Sequence, residues 1–246
     1  MIEQTRECMQ KMKFNGMLET LDLRIHEATT AGWSYSDFIG ALVTDEKHHR
    51  DNKAIKRRIK GAMFRTDACL DKIDYTAKRS LSKKLVCELK TLRFFSDSRN
   101  ILLIGPTGVG KTFLATAIGN HACHEGYKVT FMGVNLLMEE IAMSRATGKF
   151  LRLRDRLIKT DLLILDDLGI KPLSSGVIQD LYDILEERYQ KYPTVITTQL
   201  PLINWKEVID DPVALEAIVD RLIHGAIQID LTGESYRKKI GKEKMN

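Results

Sequence analysis

The chain has 246 residues, 43% of them hydrophobic, and its 38 basic and 33 acidic side chains give a net charge of +5. Its strongest apolar runs, Ile101–Ile104 and Leu162–Leu165, are far shorter than the ~20 residues of a membrane-spanning helix, and its four scattered cysteines disfavour a disulfide or zinc framework. The first residues lack the pattern of a secretory signal, so we expect a cytoplasmic protein with no membrane partner.

Residues 1–95 are predicted to form a small all-helical domain that binds DNA or a partner. Leu18, Leu21 and Ile25 recur at helical spacing. Ser34 and Asp37 resemble the capping box that opens a helix. No strand pattern occurs in this part of the chain, and the boundary near residue 95 is inferred from the change of hydrophobic period that follows.

Residues 96–246 alternate short apolar strands with helical stretches. This alternation predicts an α/β domain with a parallel five-stranded sheet and helices on both faces. The predicted strands are Ile101–Ile104, Lys128–Met132, Leu162–Asp166, Thr194–Thr198 and Ala226–Asp230. The predicted helices are Lys111–Glu125, Leu136–Ser144, Gly176–Lys191 and Ala214–Leu222.

The segment after the first predicted strand reads Gly-Pro-Thr-Gly-Val-Gly-Lys-Thr and fits the pattern G-x-x-x-x-G-K-[ST] in full. Glycines let the backbone approach phosphate oxygens, and the following helix adds the positive end of its dipole. Lys111 is expected to reach the β- and γ-phosphates, and Thr112 to bind Mg²⁺. The predicted nucleotide-binding residues are Gly105, Pro106, Thr107, Gly108, Val109, Gly110, Lys111, Thr112 and Phe113.

Acidic and polar side chains follow two later strands. Asp166 ends an apolar strand and is predicted to hold Mg²⁺ together with Thr112. Asp167 could orient or deprotonate the attacking water, and Gln199 could sense the γ-phosphate or only satisfy loop backbone. The chain lacks the Asn-Lys-x-Asp signature of guanine-specific proteins after the phosphate loop, so ATP is the favoured nucleotide.

Positive charge is concentrated in three windows, residues 47–60 (net +6), 145–159 (net +5) and 237–244 (net +4), which leaves −10 for the rest of the chain. Such clusters suit a polyanion, because phosphate contacts dominate nucleic-acid affinity, although each window could instead be a solvated helix face. The predicted DNA contacts are Arg50, Lys53, Lys56, Arg57, Arg58, Lys60, Arg152 and Arg154.

Several motifs together resemble the IstB-like ATPases, the transposition helper proteins of bacterial insertion sequences. Beyond the phosphate loop, these are Asp-Asp-Leu-Gly at 166–169, Thr-Thr-Gln-Leu-Pro at 197–201, Asp-Arg-Leu at 220–222 and Gly-Glu-Ser-Tyr-Arg at 233–237. The resemblance covers nearly the whole chain. It implies the P-loop NTPase fold of the AAA+ class, which these proteins share with the DnaC-type helicase loaders.

The resemblance also implies roles for single residues. Arg221 matches the arginine finger that reaches the γ-phosphate in a neighbouring subunit, which implies a homo-oligomer with ATP sites between subunits. Arg237 matches the position called sensor 2, and Gln199 stands where relatives often have Asn as sensor 1. Asp167 stands where many relatives have Glu, so slow hydrolysis is expected.

The function implied by the resemblance is that of an ATP- and Mg²⁺-dependent helper that oligomerises on duplex DNA. It would recruit or activate a transposase, and hydrolysis, stimulated by DNA or a partner, would release the assembly. Two alternatives remain open. One is a replicative helicase loader on the same fold. The other is a small-molecule kinase, against which the helical N-terminal region and the Asp-Arg-Leu motif argue.

Overall fold

The computed structural model describes residues 2–73, 75 and 80–233 of the chain. The chain divides into two compact units, Met1–Arg57 and Arg58–Asn246. Within the described residues, no helix is both long and apolar enough to cross a membrane.

The division between the units differs from the boundary predicted near residue 95. The difference has a packing cause, because Leu70, Leu89 and Phe94 are buried in the same hydrophobic cluster as Ile101 of the sheet. The hydrophobic period of a helix predicts that the helix is amphipathic but does not reveal which core it packs against. The segment that follows Arg57 therefore belongs to the α/β unit.

The first unit consists of helices. They are α1 (Ile2–Lys11), α2 (Asn15–Ala31) and the first part of α3 (Tyr35–Ala62). The capping box forms as predicted, because the Asp37 N–H donates to Ser34 Oγ and the Ser34 N–H donates to the Asp37 carboxylate, each at 3.2 Å. The predicted helical character of this part of the chain is confirmed.

Helices α2 and α3 approach closely at Gly16. A Cβ at Gly16 would lie 2.7 Å from the carbonyl oxygen of Asp45, so a larger side chain would force the helices apart. The Glu46 carboxylate accepts the N–H groups of Gly16 and Met17 and so satisfies donors at the start of α2. The Arg24 guanidinium donates twice to Asp45 and lowers the pKa of that carboxyl to about 2.

The described part of the second unit contains a five-stranded sheet. Its strands are β1 (Ile101–Ile104), β2 (Val129–Gly133), β3 (Leu162–Leu168), β4 (Thr194–Thr198) and β5 (Ile227–Asp230). Its helices are α4 (Lys83–Lys90), α5 (Arg93–Ser96), α6 (Lys111–His124), α7 (Val134–Ala146), α8 (Phe150–Lys159), α9 (Ser175–Arg188), α10 (Pro212–Ile223) and short 3-10 helices at Leu70–Lys72 and Leu202–Glu207.

The strands are all parallel and lie in the order β2-β3-β4-β1-β5, which confirms the predicted parallel sheet. Side chains of β1 alternate between two cores: Ile101 and Leu103 pack with α6, whereas Leu102 and Ile104 pack with α7 to α10. Helices therefore cover both faces, as predicted. Because the strands are parallel, the carboxyl ends of β1, β3 and β4 meet at one edge.

Helix α8 is absent from the sequence prediction. It packs against α7 and α9 and buries Leu153 and Leu157 in the same hydrophobic cluster, and Arg152 and Arg154 alternate with these leucines. Because six basic residues lie in the window 145–159, the sequence indicates a basic patch there, and the apolar face of α8 is not apparent.

Candidate nucleotide-binding site

A loop with the geometry of a phosphate-binding loop connects β1 to α6. A Cβ at Gly105 would lie 2.2 Å from the carbonyl oxygen of Leu231, so a side chain at this position would clash with backbone. Gly110 has φ +103° immediately before α6 begins. The loop thus ends at the N-terminus of a 14-residue helix, where free N–H groups and the helix dipole favour phosphate.

Lys111 is buried against the loop that precedes it. Its Nζ atom donates hydrogen bonds to the carbonyl oxygens of Gly105 and Pro106 at 2.7 and 2.9 Å. The residue is 5% exposed. A phosphate held by the loop would therefore lie beside a positive charge.

The end of β3 places a carboxylate beside the start of α6. The Thr112 hydroxyl donates to Asp166, with its oxygen 3.0 Å from Oδ1 and 3.1 Å from Oδ2. Burial raises the pKa of the Asp166 carboxyl, and the hydrogen bond from Thr197 opposes this effect. Carboxylate and hydroxyl oxygens are ligands that suit Mg²⁺, so Thr112 and Asp166 fit the ion that the loop motif implies.

The backbone of β3 is irregular at the two acids. Its register with β4 shifts between Leu165 and Leu168, and Asp167 adopts the left-handed conformation with φ +61°. Aspartate tolerates this conformation better than most residues. The Asp167 N–H donates to the Thr197 hydroxyl at 2.8 Å. A bulge of this kind changes the direction of a side chain, here that of the half-buried Asp167 next to Asp166.

Gln199 lies next to the phosphate loop. It directly follows β4, and its Oε1 atom accepts a hydrogen bond from the Thr107 hydroxyl at 2.6 Å. Both residues are exposed at the sheet edge. The structure thus brings Gln199 to the loop, whereas its role as a sensor stays a prediction.

Arg65 is a cation near the site that the sequence analysis does not identify. A Cβ at Gly133, the last residue of β2, would lie 2.7 Å from Nη2 of Arg65. Gly133 pairs with Asp166 between β2 and β3, and the charge of Arg65 acts to lower the pKa of the Asp166 carboxyl. A glycine at the strand end leaves room for the guanidinium.

The predicted arginine finger lies away from the phosphate loop of its own chain. The Arg221 side chain, on α10, forms an ion pair with Glu186, and its guanidinium carbon is 5.5 Å from the centre of the Tyr182 ring. The Arg221 carbonyl accepts a hydrogen bond from the Asn100 side chain at 2.9 Å, just before β1 begins. The predicted sensor 2, Arg237, lies outside the described residues.

The predicted DNA contacts of the first unit lie on α3. Lys53, Lys56 and Arg57 are exposed. The two lysines line a cleft of about 550 Å³ between α2 and α3. Arg50 is exposed as well, but it donates to the Glu46 carboxylate at 2.6 Å. Lys53, Lys56 and Arg57 are therefore the cations of this group best placed to meet DNA.

The predicted DNA contacts of the second unit differ in exposure. Arg58 donates from Nε to the carbonyl oxygen of Cys123 at 2.7 Å, a structural contact with the end of α6. Lys60 and Arg152 are exposed, and Arg154 is half-buried. Arg152 lines a groove of about 400 Å³ between α7 and α8, together with two further basic residues. This groove is a second positively charged surface.

Comparison with known proteins relates this geometry to a family. Over residues 7–244, the chain matches the family described as IstB-like ATP binding protein. It is 35% identical to an insertion sequence ATP-binding protein of Sinorhizobium fredii, covering 95% of this chain and 96% of that protein. It is 31% identical to the ATP-binding protein of insertion sequence IS5376 from Geobacillus stearothermophilus, covering 99% of this chain and 98% of that protein.

The fold also occurs among solved structures. The crystal structure of the DnaC helicase loader matches with a TM-score of 0.57 at 20% identity, covering 67% of this chain and 97% of that chain. At this level of identity the likeness shows a shared fold. The predicted AAA+ fold of the second unit is confirmed.

Proposed function

The chain belongs to the IstB-like ATP-binding protein family, and from this membership we propose that it is an ATP-hydrolysing helper of DNA transposition. ATP binding would favour an oligomer on duplex DNA, and this assembly would recruit or activate a transposase. Hydrolysis would then release the DNA. The observation that carries the proposal is the arrangement where β1 and β3 end: Lys111 bonds to the loop carbonyls, and Thr112 bonds to Asp166.

This group supports binding of ATP with Mg²⁺. The loop backbone and Lys111 would hold the β- and γ-phosphates, and Thr112 and Asp166 would hold the ion. When bound, Mg²⁺ offsets the negative charge of the phosphates and favours the ionised form of Asp166. The ion would offset part of the cost of burying the Asp166 carboxyl.

Four further residues would serve hydrolysis. Asp167 would orient or deprotonate the attacking water, and its side chain is one methylene shorter than the Glu of many relatives, so turnover would be slow. Gln199 would sense the γ-phosphate. Arg221 would stabilise the transition state in a neighbouring subunit, and Arg237 would contact the nucleotide in its own subunit.

Exposed positive charge on α3 and α8 supports DNA binding without sequence readout. Arginine and lysine side chains that meet phosphates release counterions, so affinity falls steeply as salt rises. Each of the two surfaces would add its own contribution to this salt dependence.

Replacing Lys53, Lys56 and Arg57 together with glutamine should weaken duplex binding at least ~10-fold at low salt. The slope of log affinity against log salt should fall by about 3, because each lost phosphate contact removes about 0.9. Fluorescence anisotropy of a labelled duplex over a salt series measures both quantities. The charge-matched control replaces the exposed Lys83, Lys84 and Lys128. An unchanged slope in the α3 variant would mean that this face is merely solvated.

Helicase loading is the alternative that the DnaC-like fold favours. At 20% identity this likeness does not extend to function, whereas the two relatives matched over 95% and 99% of the chain are insertion sequence proteins. Pulldown with the cognate transposase and with the replicative helicase separates the two, and capture of the helicase alone would favour the loader. For a small-molecule kinase, ATP turnover would respond to a metabolite and be indifferent to DNA.

Sizing the protein with duplex DNA under different nucleotides tests the proposal. With ATP or a non-hydrolysable analogue we expect a larger, DNA-bound complex, and with ADP a smaller species, because only the triphosphate would bridge two subunits. Light scattering after gel filtration gives the mass of each species. A mass that stays constant, with no duplex binding under any nucleotide, would overturn the proposal.

A further inference from the structure

One buried hydroxyl joins the two acids at the end of β3. Thr197, on β4, is 0% exposed. Its Oγ1 atom lies 2.7 Å from Oδ1 of Asp166 and 2.8 Å from the backbone nitrogen of Asp167. Thr112 contacts the Asp166 carboxylate as well, but from the start of α6. Thr197 is therefore the neighbour that touches both acids at once.

Hydrogen-bond chemistry fixes the direction of both contacts. A backbone N–H can only donate, so the Thr197 oxygen accepts the hydrogen of Asp167. The hydroxyl has one hydrogen of its own, which is directed at Oδ1 of Asp166 when that carboxylate is ionised, as it would be with Mg²⁺ bound. Both acids are thereby joined to β4, and a bond to a charged acceptor is the stronger kind.

The bulge explains why the Asp167 N–H needs this acceptor. Between Leu165 and Leu168 the residues of β3 leave the regular pairing with β4. A backbone N–H withdrawn from a ladder requires another partner. The Thr197 hydroxyl is that partner, and it holds Asp167 in its left-handed conformation.

We infer that Thr197 is a positioning residue for both acids. This inference rests on the proposed function, in which Asp166 holds Mg²⁺ and Asp167 directs the water. Thr197 keeps the Asp166 carboxylate facing Thr112 and keeps Asp167 turned out of the strand. Its side-chain hydrogen bonds go to the two acids and not to the phosphate loop, so its hydroxyl matters for the ion and for turnover and not for ATP itself.

Thr197→Val tests the inference, because valine keeps the shape of threonine and removes the hydroxyl. We expect ATP affinity measured in EDTA to stay within about twofold of the unsubstituted chain. The Mg²⁺ concentration that gives half of the ion-dependent gain in ATP affinity should rise at least ~10-fold, and turnover should fall at least ~10-fold. Titration with a fluorescent ATP analogue gives both affinities without reference to turnover.

Two control variants separate positioning from packing. Thr197→Ser keeps the hydroxyl and should restore both values to within about threefold. Thr198→Val removes the neighbouring buried hydroxyl of β4, which bonds to the Leu200 N–H at 3.1 Å and not to the acids, and should leave the Mg²⁺ dependence unchanged. Thermal melts of each variant report on folding.

The outcomes are distinguishable. If Thr197→Val has the same Mg²⁺ dependence and turnover as Thr198→Val, the inference fails while the proposed function stands. If the unsubstituted chain binds no ATP, the proposed function fails first. Should the valine variant not fold, Thr197→Cys, whose thiol is a weak hydrogen-bond donor, replaces it with the same expected shifts.

Discussion

Replacing Lys111 with alanine is expected to abolish ATP binding, with a loss of affinity of at least ~100-fold. The substitution removes the positive charge that lies against the loop backbone, and hydrogen bonds between charged partners contribute more than neutral ones. Titration of a fluorescent ATP analogue in the presence of Mg²⁺ measures the effect. Retention of micromolar affinity would contradict the assignment of this segment as a phosphate-binding loop.

The control for this substitution must address loop stability, since Nζ of Lys111 also bonds to the carbonyls of Gly105 and Pro106. A thermal melt of the alanine variant shows whether the unit remains folded. Lys128→Ala removes an exposed lysine that precedes β2, at the end of the strand opposite the acids. It should bind ATP normally.

The phosphate loop is predictable from the sequence because its chemistry is contiguous. Its glycines, Lys111 and Thr112 stand within eight residues, and the strand and helix around them follow from hydrophobic period alone. The role of Asp166 is nearly as easy to predict from the sequence, because it directly follows a run of apolar residues that is typical of a buried strand. The parallel sheet then places both at one edge, as the structure shows.

The contacts that depend on side chains from distant strands are not predictable in this way. Thr197 is one of several polar residues at the end of a predicted strand, and nothing in its local sequence indicates that its hydroxyl bridges two acids. The bulge that turns Asp167 is equally hidden, because a register shift depends on the partner strand. The proximity of Arg65 to Asp166 follows only from the structure, in which Gly133 contacts Arg65 and pairs with Asp166.

The sequence also does not reveal which arginines are buried. Arg188 is 1% exposed, although a charged residue at the end of a helix is normally assigned to the surface. Its guanidinium donates to the backbone carbonyls of Leu157, Thr160 and Pro193, so it joins α8 to the starts of β3 and β4. A count of positive charges therefore overstates the charge available to DNA.

The position of Arg221 supports a nucleotide site that needs two subunits. Its carbonyl lies beside Asn100, at the amino end of β1, and the phosphate loop begins at the other end. Four residues of strand separate the two, about 13 Å. The side chain is held on α9 by Glu186, and an exposed ion pair of this kind is easily exchanged for another partner.

Replacing Arg221 with alanine is expected to leave ATP binding intact and to lower DNA-stimulated turnover at least ~100-fold. The guanidinium offsets charge that develops as the γ-phosphate is transferred, and no such charge exists before the reaction. Steady-state phosphate release and nucleotide titration measure the two quantities. Loss of ATP affinity in proportion to turnover would instead mean that Arg221 acts on nucleotide binding.

Mixing two inactive variants decides whether Arg221 acts on a neighbouring subunit. Lys111→Ala cannot bind ATP but keeps its arginine, and Arg221→Ala binds ATP but lacks the arginine. If the finger acts between subunits, some interfaces in the mixture join an intact loop to an intact arginine, and turnover should reappear. The matched control mixes Arg221→Ala with the double variant Lys111→Ala/Arg221→Ala, which offers no arginine and should stay inactive. If the mixture of Lys111→Ala and Arg221→Ala is as inactive as this control, Arg221 acts within its own chain. That result would contradict the proposed ATP site between subunits.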